Sequence, residues 1–435
     1  MASVETVSAL ERRLNASIPQ QAINSQVSAR LKNIGRNVKI AGFRPGKVPA
    51  KIVEQYYGAQ TRQEILSDAL QRSFDEAAQT NNLKVAGFPK FEVKTKDLNA
   101  DEIEYCATFE VYPEVVVGDL SGEVIERQVY ELTQEDVDNT IVTLRKQRAK
   151  FEKVDRAAQA EDRVNIDFTG TLNGEEFPGG QAKGYSLVLG AGSMLPDFET
   201  AAIGMKAGDS RSFDLTFPED YRNKDLAGKK VNFAITMNRV EAPKLPEVDA
   251  EFAKAVGIAD GDVGKLQDEV RSNLLSEVSR RLKARNKDAA MDALLRVSGF
   301  DVPKVLVDEE IQTLIRLTLQ DMEARGLKTK GITLSPEMFK ERAERRIKLG
   351  LILSHLVQKH HLTAKLDQVK GFIKEYAQSF DQPEEVIRWY EAEPGRMQEV
   401  EHIVLEENVV TWAMGQAKTI DKPAVFNELM GSDQR

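Results

Sequence analysis

The sequence has little sulfur chemistry and no long apolar run. Its only cysteine among 435 residues is Cys106, which excludes an intrachain disulfide and a cysteine-based zinc site and is typical of a reducing compartment. No stretch approaches the ~18 apolar residues of a membrane span, and the first residues lack the basic and apolar segments of a secretory signal. We therefore expect a cytoplasmic protein without a membrane partner, in which Cys106 fills a core.

Acidic residues are absent from one long segment, although the whole chain carries a net charge of -9. The overall charge argues against a protein that coats nucleic acid over its entire surface. Between Arg12 and Val53, however, there is no Asp or Glu, which predicts a local cationic surface. Its positive residues are Arg12, Arg13, Arg30, Lys32, Arg36, Lys39, Arg44, Lys47 and Lys51.

The hydrophobic pattern changes along the chain and predicts a multidomain α+β protein. Residues 1–112 combine helical spacing (19–39 and 61–82) with alternating strands, which indicates a small α+β domain. Residues 113–150 resemble an extended strand and a helix, and we interpret them as a connector arm.

The remaining sequence divides into a β part and a helical part. Period-two strands, separated by glycine-rich turns, predict an antiparallel β domain over 151–246 with one short helix near 196–203. Amphipathic helices fill 247–435, which predicts an all-α domain, and we expect Trp389 and Trp412 to lie in its core.

Residues 162–243 contain no His, Cys or Trp, which excludes a Ser-His or Cys-His nucleophile built from the β domain alone. Its aromatic residues are numerous, and packing in a core would explain them on pattern alone. Elsewhere, His360 and His361 lack further ligands nearby, so we expect no metal. No glycine-rich phosphate loop is present, so we expect no nucleotide and no other cofactor.

The order of the residues in this β domain resembles the FKBP family of prolyl isomerases. Six blocks carry the resemblance: Ile166-Asp167-Phe168-Thr169-Gly170, Gly174-Glu175-Glu176-Phe177, Leu189-Gly190, Met194-Leu195-Pro196-Asp197-Phe198-Glu199, Gly204-Met205-Lys206-Ala207-Gly208 and Phe217-Pro218-Glu219-Asp220-Tyr221. The resemblance implies a curved sheet around a short helix and an enzyme that rotates Xaa–Pro bonds in an apolar cleft. It implies that the cleft is lined by Phe168, Phe177, Tyr185, Met194, Leu195, Phe198, Phe217, Tyr221 and Phe233. This chain departs from common relatives at Pro178 and Asp197.

A Gly/Pro-rich loop follows the first predicted helix. On its own the loop predicts a rigid turn, but Phe43 beside cations also suits docking on an anionic, RNA-rich surface. Gly42, Phe43, Arg44, Gly46 and Pro49 match the Gly-Phe-Arg-x-Gly-x-x-Pro signature of the bacterial trigger factor family. The resemblance implies a docking site for the large ribosomal subunit, near the exit tunnel, that comprises Gly42, Phe43, Arg44, Pro45, Gly46 and Lys47.

The domain order also resembles trigger factor over essentially the whole chain. This resemblance implies that the carboxyl-terminal helices form a body with two arms that holds nascent and unfolded polypeptides without ATP, and that the connector packs with this body. It further implies a homodimer away from the ribosome and a link to cell division. Two alternatives stay open from the residues: a free prolyl isomerase without ribosome dependence, and a holdase with an inactive cleft.

Overall fold

The computed structural model describes residues 3–41, 43, 47–95, 100–221, 223–378, 380 and 382–431. The chain forms two compact units, each built from separated segments. The first unit comprises Met1–Glu126 and Lys287–Ile420, and the second comprises Arg127–Asn286 and Asp421–Arg435.

An antiparallel sheet and two helices open the first unit. The strands are β1 (Ser3–Thr6), β2 (Glu11–Pro19), β3 (Val85–Val93) and β4 (Glu102–Val111), in the order β1-β2-β4-β3, and the helices are α1 (Gln20–Asn37) and α2 (Ala50–Thr80). Leu70 and Phe74 lie four residues apart on α2, so both face the sheet. The Phe74 ring meets Phe109 edge to face at 4.9 Å. Cys106 is buried, as predicted.

Two features of this part differ from the expectation. Strands β1 and β2 were not predicted. The alternation of Leu14, Ala16 and Ile18 spans only five residues and follows three charged residues, Glu11 to Arg13. Helix α2 begins at Ala50, eleven residues before Thr61, and Pro49 directly precedes its first turn. Proline is well suited to a helix start, where its missing N–H has no intrahelical partner.

Helices make up most of the rest of the first unit. They are the later part of α6 (Val263–Val297), α7 (Lys304–Ala324), α8 (Glu337–His360), α9 (Leu366–Ala377), α10 (Pro383–Glu391) and α11 (Pro394–Gln416). Leu120 of the connector packs into one cluster with Leu294, Ile352 and Val409 of α6, α8 and α11.

Two expectations for the helical region need correction. Trp412 packs against the cluster that holds Ile352. Trp389, in contrast, is 52% exposed and lies on α10, a helix in which no residue is buried. The region is also not purely helical, since β11 (Lys418–Pro423) pairs with β5 (Val124–Val129) of the connector. The partner strand is almost 300 residues away, so no local pattern indicates this pairing.

The second unit contains a five-stranded antiparallel sheet. Its strands are β6 (Lys150–Val154), β7 (Arg163–Leu172), β8 (Glu175–Val188), β9 (Ser210–Thr216) and β10 (Lys230–Lys244). The long strand β10 pairs with β7 along one edge and with β9 and then β6 along the other. The short predicted helix is α4 (Pro196–Ala202), whose Phe198 and Ala202 are buried in the same core.

A helical cluster completes the second unit. It contains α3 (Gln134–Gln147), α5 (Ala250–Ala255), the first part of α6 and α12 (Phe426–Met430). Val137 and Ile141 of the connector helix α3 pack with Phe252, Leu266 and Val270. A capping box between Thr133 and Asp136 begins α3.

Candidate active site in the β domain

One cleft of about 820 Å³ lies beside α4 in the β domain. All nine residues that the FKBP resemblance implied line this cleft: Phe168, Phe177, Tyr185, Met194, Leu195, Phe198, Phe217, Tyr221 and Phe233. They come from four strands or helices and two loops, so only the fold brings them together. The aromatic residues therefore form both the domain core and the surface of a cavity.

Buried rings form the floor of the cleft. The ring centroid of Phe198 on α4 lies 5.5 Å from that of Phe168 on β7 and 5.3 Å from that of Phe233 on β10. In both pairs the ring planes are nearly perpendicular. Such edge-to-face pairs stabilise a fixed arrangement of rings beyond the apolar area that they bury. The floor is therefore rigid. Phe213, by contrast, stacks on Phe233 within the core and does not line the cleft.

Two tyrosines mark the rim. The Tyr185 ring packs edge to face on Phe168, with 5.8 Å between ring centroids. The ring centroids of Tyr221 and Phe217 are 4.5 Å apart. Each tyrosine is more than a third exposed, unlike the buried floor. A polypeptide segment that enters the cleft would therefore have the apolar floor beneath it and the hydroxyl groups of the two tyrosines at the rim.

A buried carboxylate holds the loop that carries Met194 and Leu195. Glu199 of α4 is 5% exposed. Its Oε2 accepts a hydrogen bond from the Gly190 N–H at 2.7 Å, and its Oε1 accepts one from the Met194 N–H at 3.0 Å. Because two loop amides share one carboxylate, this wall of the cleft has a defined position.

The electrostatic character of the cleft is neutral. None of the described residues that line it is charged, and its polar side chains are Gln181, Ser193, Asn223 and the two rim tyrosines. Asp167 precedes Phe168 and is partly buried, but it does not line the cleft. Hydrogen bonds from the Gly184 N–H at 2.7 Å and from the Asn238 side chain hold the pKa of Asp167 below its ordinary value.

This arrangement suits a conformational reaction better than bond cleavage. Rotation about an Xaa–Pro bond must overcome a barrier of roughly 18–20 kcal/mol that arises from amide resonance. The twisted amide has lost this resonance and its charge separation, so an apolar site that excludes water favours it over the planar form. The aromatic walls supply that environment without a nucleophile.

Several residues that shape the cleft were not predicted from the sequence. They are Pro178, Gly179, Gln181, Ala182, Gly192, Ser193, Pro196, Leu215, Asn223 and Leu226. Most are small or polar and resemble ordinary turn residues. Their only available signal was their closeness in sequence to Phe177, Met194 and Tyr221.

The basic loop lies in the first unit, between α1 and α2. Phe43 is 40% exposed and Lys47 is exposed, whereas Gly42, Arg44, Pro45 and Gly46 lie outside the described residues. On and after α1, six exposed cations make no ion pair within the part of the chain that the structure describes: Arg30, Lys32, Arg36, Lys39, Lys47 and Lys51.

The described residues hold neither a cluster of metal ligands nor a helix that could span a membrane. The described residues contain no group of three or more His, Cys, Asp or Glu that could hold a metal ion. Over the same residues, no helix combines the length and the apolar character needed to cross a membrane.

Three family models match successive parts of the chain. Residues 1–144 match the model described as bacterial trigger factor protein, and residues 262–415 match the model of its C-terminus. Residues 154–238 match the FKBP-type peptidyl-prolyl cis-trans isomerase model, which covers every residue that we placed around the cleft.

Curated relatives match the chain from end to end. A trigger factor from Nitrosospira multiformis is 49% identical over 99% of each chain, and one from Dechloromonas aromatica is 51% identical over 98% of each. A solved structure titled "Promiscuous Substrate Recognition in Folding and Assembly Activities of the Trigger Factor Chaperone" matches 95% of this chain and 99% of its own, with a TM-score of 0.45 and 19% identity. The curated relatives and the family models together show that the chain belongs to the bacterial trigger factor family and is a chaperone with an FKBP-type peptidyl-prolyl isomerase domain.

Proposed function

We propose that this chaperone docks on the large ribosomal subunit in the cytoplasm, holds nascent polypeptides near the exit tunnel and isomerises their Xaa–Pro bonds. Residues 1–112 would dock, residues 151–246 would isomerise, and residues 113–150 with 247–435 would hold the client. The homodimer away from the ribosome and the link to cell division belong to the same proposal.

The observation that carries the docking proposal is the cationic segment with an exposed ring. Arg30, Lys32 and Arg36 lie on α1 without a neutralising acid in the sequence. Lys39 follows the end of the helix, and Phe43 comes four residues later. Lysine and arginine side chains bind phosphates and release counterions, whereas an exposed ring supplies apolar contact. This combination suits a surface of RNA and protein.

We further propose that the nine cleft residues contact the client at proline. Phe168, Phe198 and Phe233 would form the floor under the twisting amide, and Tyr185 and Tyr221 would hold the chain at the rim. Exposed apolar side chains in the helical region support client binding outside the cleft, because they offer dispersed contacts to varied sequences. Examples are Leu317, Leu327, Met338, Leu366, Phe380, Trp389 and Ile403.

The test of docking is co-sedimentation of the full chain with purified large ribosomal subunits at two salt concentrations. The double variant Phe43→Ala/Arg44→Ala should lose binding, and binding of the unchanged protein should weaken steeply with salt. The matched control is Phe88→Ala/Lys90→Ala, which removes an 85% exposed ring and a nearby cation. Phe88 follows α2, whose 31 residues span roughly 46 Å, so it is remote from the loop.

Each outcome of this experiment has a distinct meaning. Loss with the loop variant and retention with the control would support ribosome docking at the loop. Equal loss in both variants would contradict a specific docking site. If the unchanged protein stays in the supernatant while it still isomerises a proline peptide, the alternative of a free prolyl isomerase and holdase takes its place.

A further inference from the structure

Phe177 reaches the cleft from an insertion in its strand. In the pairing of β7 with β8, Thr169 lies opposite Gln181, but Thr171 lies opposite Glu176. Four residues of β8, Phe177 to Gly180, therefore face the single residue Gly170 of β7. Such a bulge breaks the ladder and re-aims side chains, here the Phe177 ring.

Two glycines enclose this ring. A Cβ atom built on Gly180 would have three ring carbons of Phe177 as its nearest neighbours, at 2.8, 2.8 and 3.0 Å. A Cβ atom on Gly170 would lie 2.7 Å from Cε1 of Phe233 and 2.9 Å from Cε1 of Phe177. Real Cβ atoms essentially never approach a neighbour closer than 3.0 Å, so a side chain at either position would displace a ring.

The backbone does not explain why these positions are glycine. Several other glycines of the domain, such as Gly174 and Gly179, have positive φ angles of 89° and 81°, a region that favours glycine. Gly170 and Gly180 lie outside that region. Their lack of a side chain therefore matters for space, and the space is occupied by the ring that forms one wall of the cleft.

We propose that Gly170 and Gly180 are positioning residues for prolyl isomerisation, which set the Phe177 wall by leaving room for its ring on two sides. The Phe177 ring lies between the two glycines and packs edge to face on two further rings. Its centroid is 6.5 Å from that of Phe217 and 6.2 Å from that of Phe233. A methyl group on either glycine would push Phe177 from this position. Small displacements of groups around a reacting bond lower the rate of catalysis strongly.

The two glycines differ in what they touch. The three atoms nearest to a Cβ on Gly180 all belong to Phe177, which is only partly buried and has solvent on one side. A Cβ on Gly170 also meets Phe233, which is buried in the domain core. Gly170→Ala should therefore overpack the core and destabilise the domain, whereas Gly180→Ala should mainly move the wall.

The test measures kcat/KM of the full chain on a proline peptide for Gly180→Ala, Phe177→Leu and the double variant. Leucine is shorter than phenylalanine and leaves space for the added methyl group. We expect Gly180→Ala to lower kcat/KM by about tenfold or more in the unchanged background. In the Phe177→Leu background the same change should cost less than about twofold, because the ring that it displaces is absent.

The control adds the same methyl group where it meets nothing. Gly350 lies in α8. Apart from the neighbouring residues and backbone of its own helix, no atom of the described residues lies within 4 Å of a Cβ built there, so Gly350→Ala should leave kcat/KM unchanged. A loss of kcat/KM by the same factor in both backgrounds would overturn the proposal, because the methyl group would then act through something other than the Phe177 ring. The Tm of Gly180→Ala is measured beside its activity, and a loss of kcat/KM that vanishes well below this Tm would indicate reduced stability and would also overturn the proposal. An unchanged kcat/KM in Gly180→Ala would also overturn it.

Discussion

Replacing Glu199 by glutamine should loosen the loop that carries one wall of the cleft. The carboxylate is buried, and each of its oxygens accepts one loop N–H, from Gly190 and from Met194. Glutamine keeps one acceptor oxygen but places an NH₂ group opposite the other donor. One hydrogen bond is therefore lost, and two donors face each other in a buried place.

The size of the effect follows from the type of hydrogen bond. A bond to a charged group contributes about 1.5–3 kcal/mol, and each ~1.36 kcal/mol changes an equilibrium tenfold. Local opening of the loop should therefore become about 10- to 150-fold more frequent. Because Met194 and Leu195 line the cleft, the variant should also lose isomerase activity.

Hydrogen exchange measured by mass spectrometry on the full chain reports this opening directly. The informative peptide covers the loop between β8 and α4, which includes the amides of Gly190 and Met194. The matched control is Glu175→Gln at the start of β8. It removes the same charge from an exposed side chain that makes no hydrogen bond or ion pair within the described residues.

Equal exchange in this loop in Glu199→Gln and in the unchanged protein would contradict the predicted role of the carboxylate. Equal acceleration in the control variant would also contradict it, because the cause would then be the lost charge and not the lost hydrogen bond. Faster exchange across the whole domain would indicate global destabilisation, which the local argument does not predict.

Two other predictions concern polar contacts elsewhere. The Gly184 N–H and the Asn238 side chain lower the pKa of Asp167 in the folded state. The ionised carboxylate therefore stabilises the fold fully above its ordinary pKa of ~3.9. This stabilisation is lost as the pH falls through the lowered pKa of the folded state. The difference in Tm between the unchanged protein and Asp167→Asn should thus shrink below about pH 4, and a constant difference would contradict this. The Val305 N–H at the start of α7 donates a hydrogen bond to Glu110 Oε2 at 2.8 Å. Glu110→Ala should therefore lower the free energy of unfolding in urea by about 0.5–2 kcal/mol. An unchanged urea midpoint would show that Glu110 does not cap the helix.

The lining of the cleft was predictable because aromatic residues are recognisable in the sequence and keep their order. Phe168 and Phe233 lie on strands with clear alternation, and Phe198 lies in a short helix that proline begins. Periodicity decides which face such residues occupy, so their inward direction could be inferred. The resemblance to FKBP then indicated that the inward face borders a cavity as well as a core.

The positions of the walls were not predictable, because they depend on contacts between residues that the sequence does not pair. Gly170 meets Phe177 only through the register of β7 with β8. The bulge that fixes this register falls at Pro178-Gly179-Gly180, and such residues are equally typical of a turn between two strands. Glutamate in a short helix is mostly exposed, so its residue type does not indicate that Glu199 is buried. Its two loop partners precede it by nine and five residues. Trp389 looked like a core residue, although no residue of α10 is buried.

Two carboxylates near this cleft bind backbone amides of the segments that form its walls. Glu199 binds loop amides behind Met194, and Asp167 binds the amide of Gly184 just before Tyr185. A reaction that only twists a bond needs no proton transfer, so charged groups are more useful outside the apolar surface, where they do not attract water into it. Catalysis by such a domain therefore depends on where aromatic rings are held. Residues with no chemistry of their own, such as Gly180, consequently matter as much as the rings.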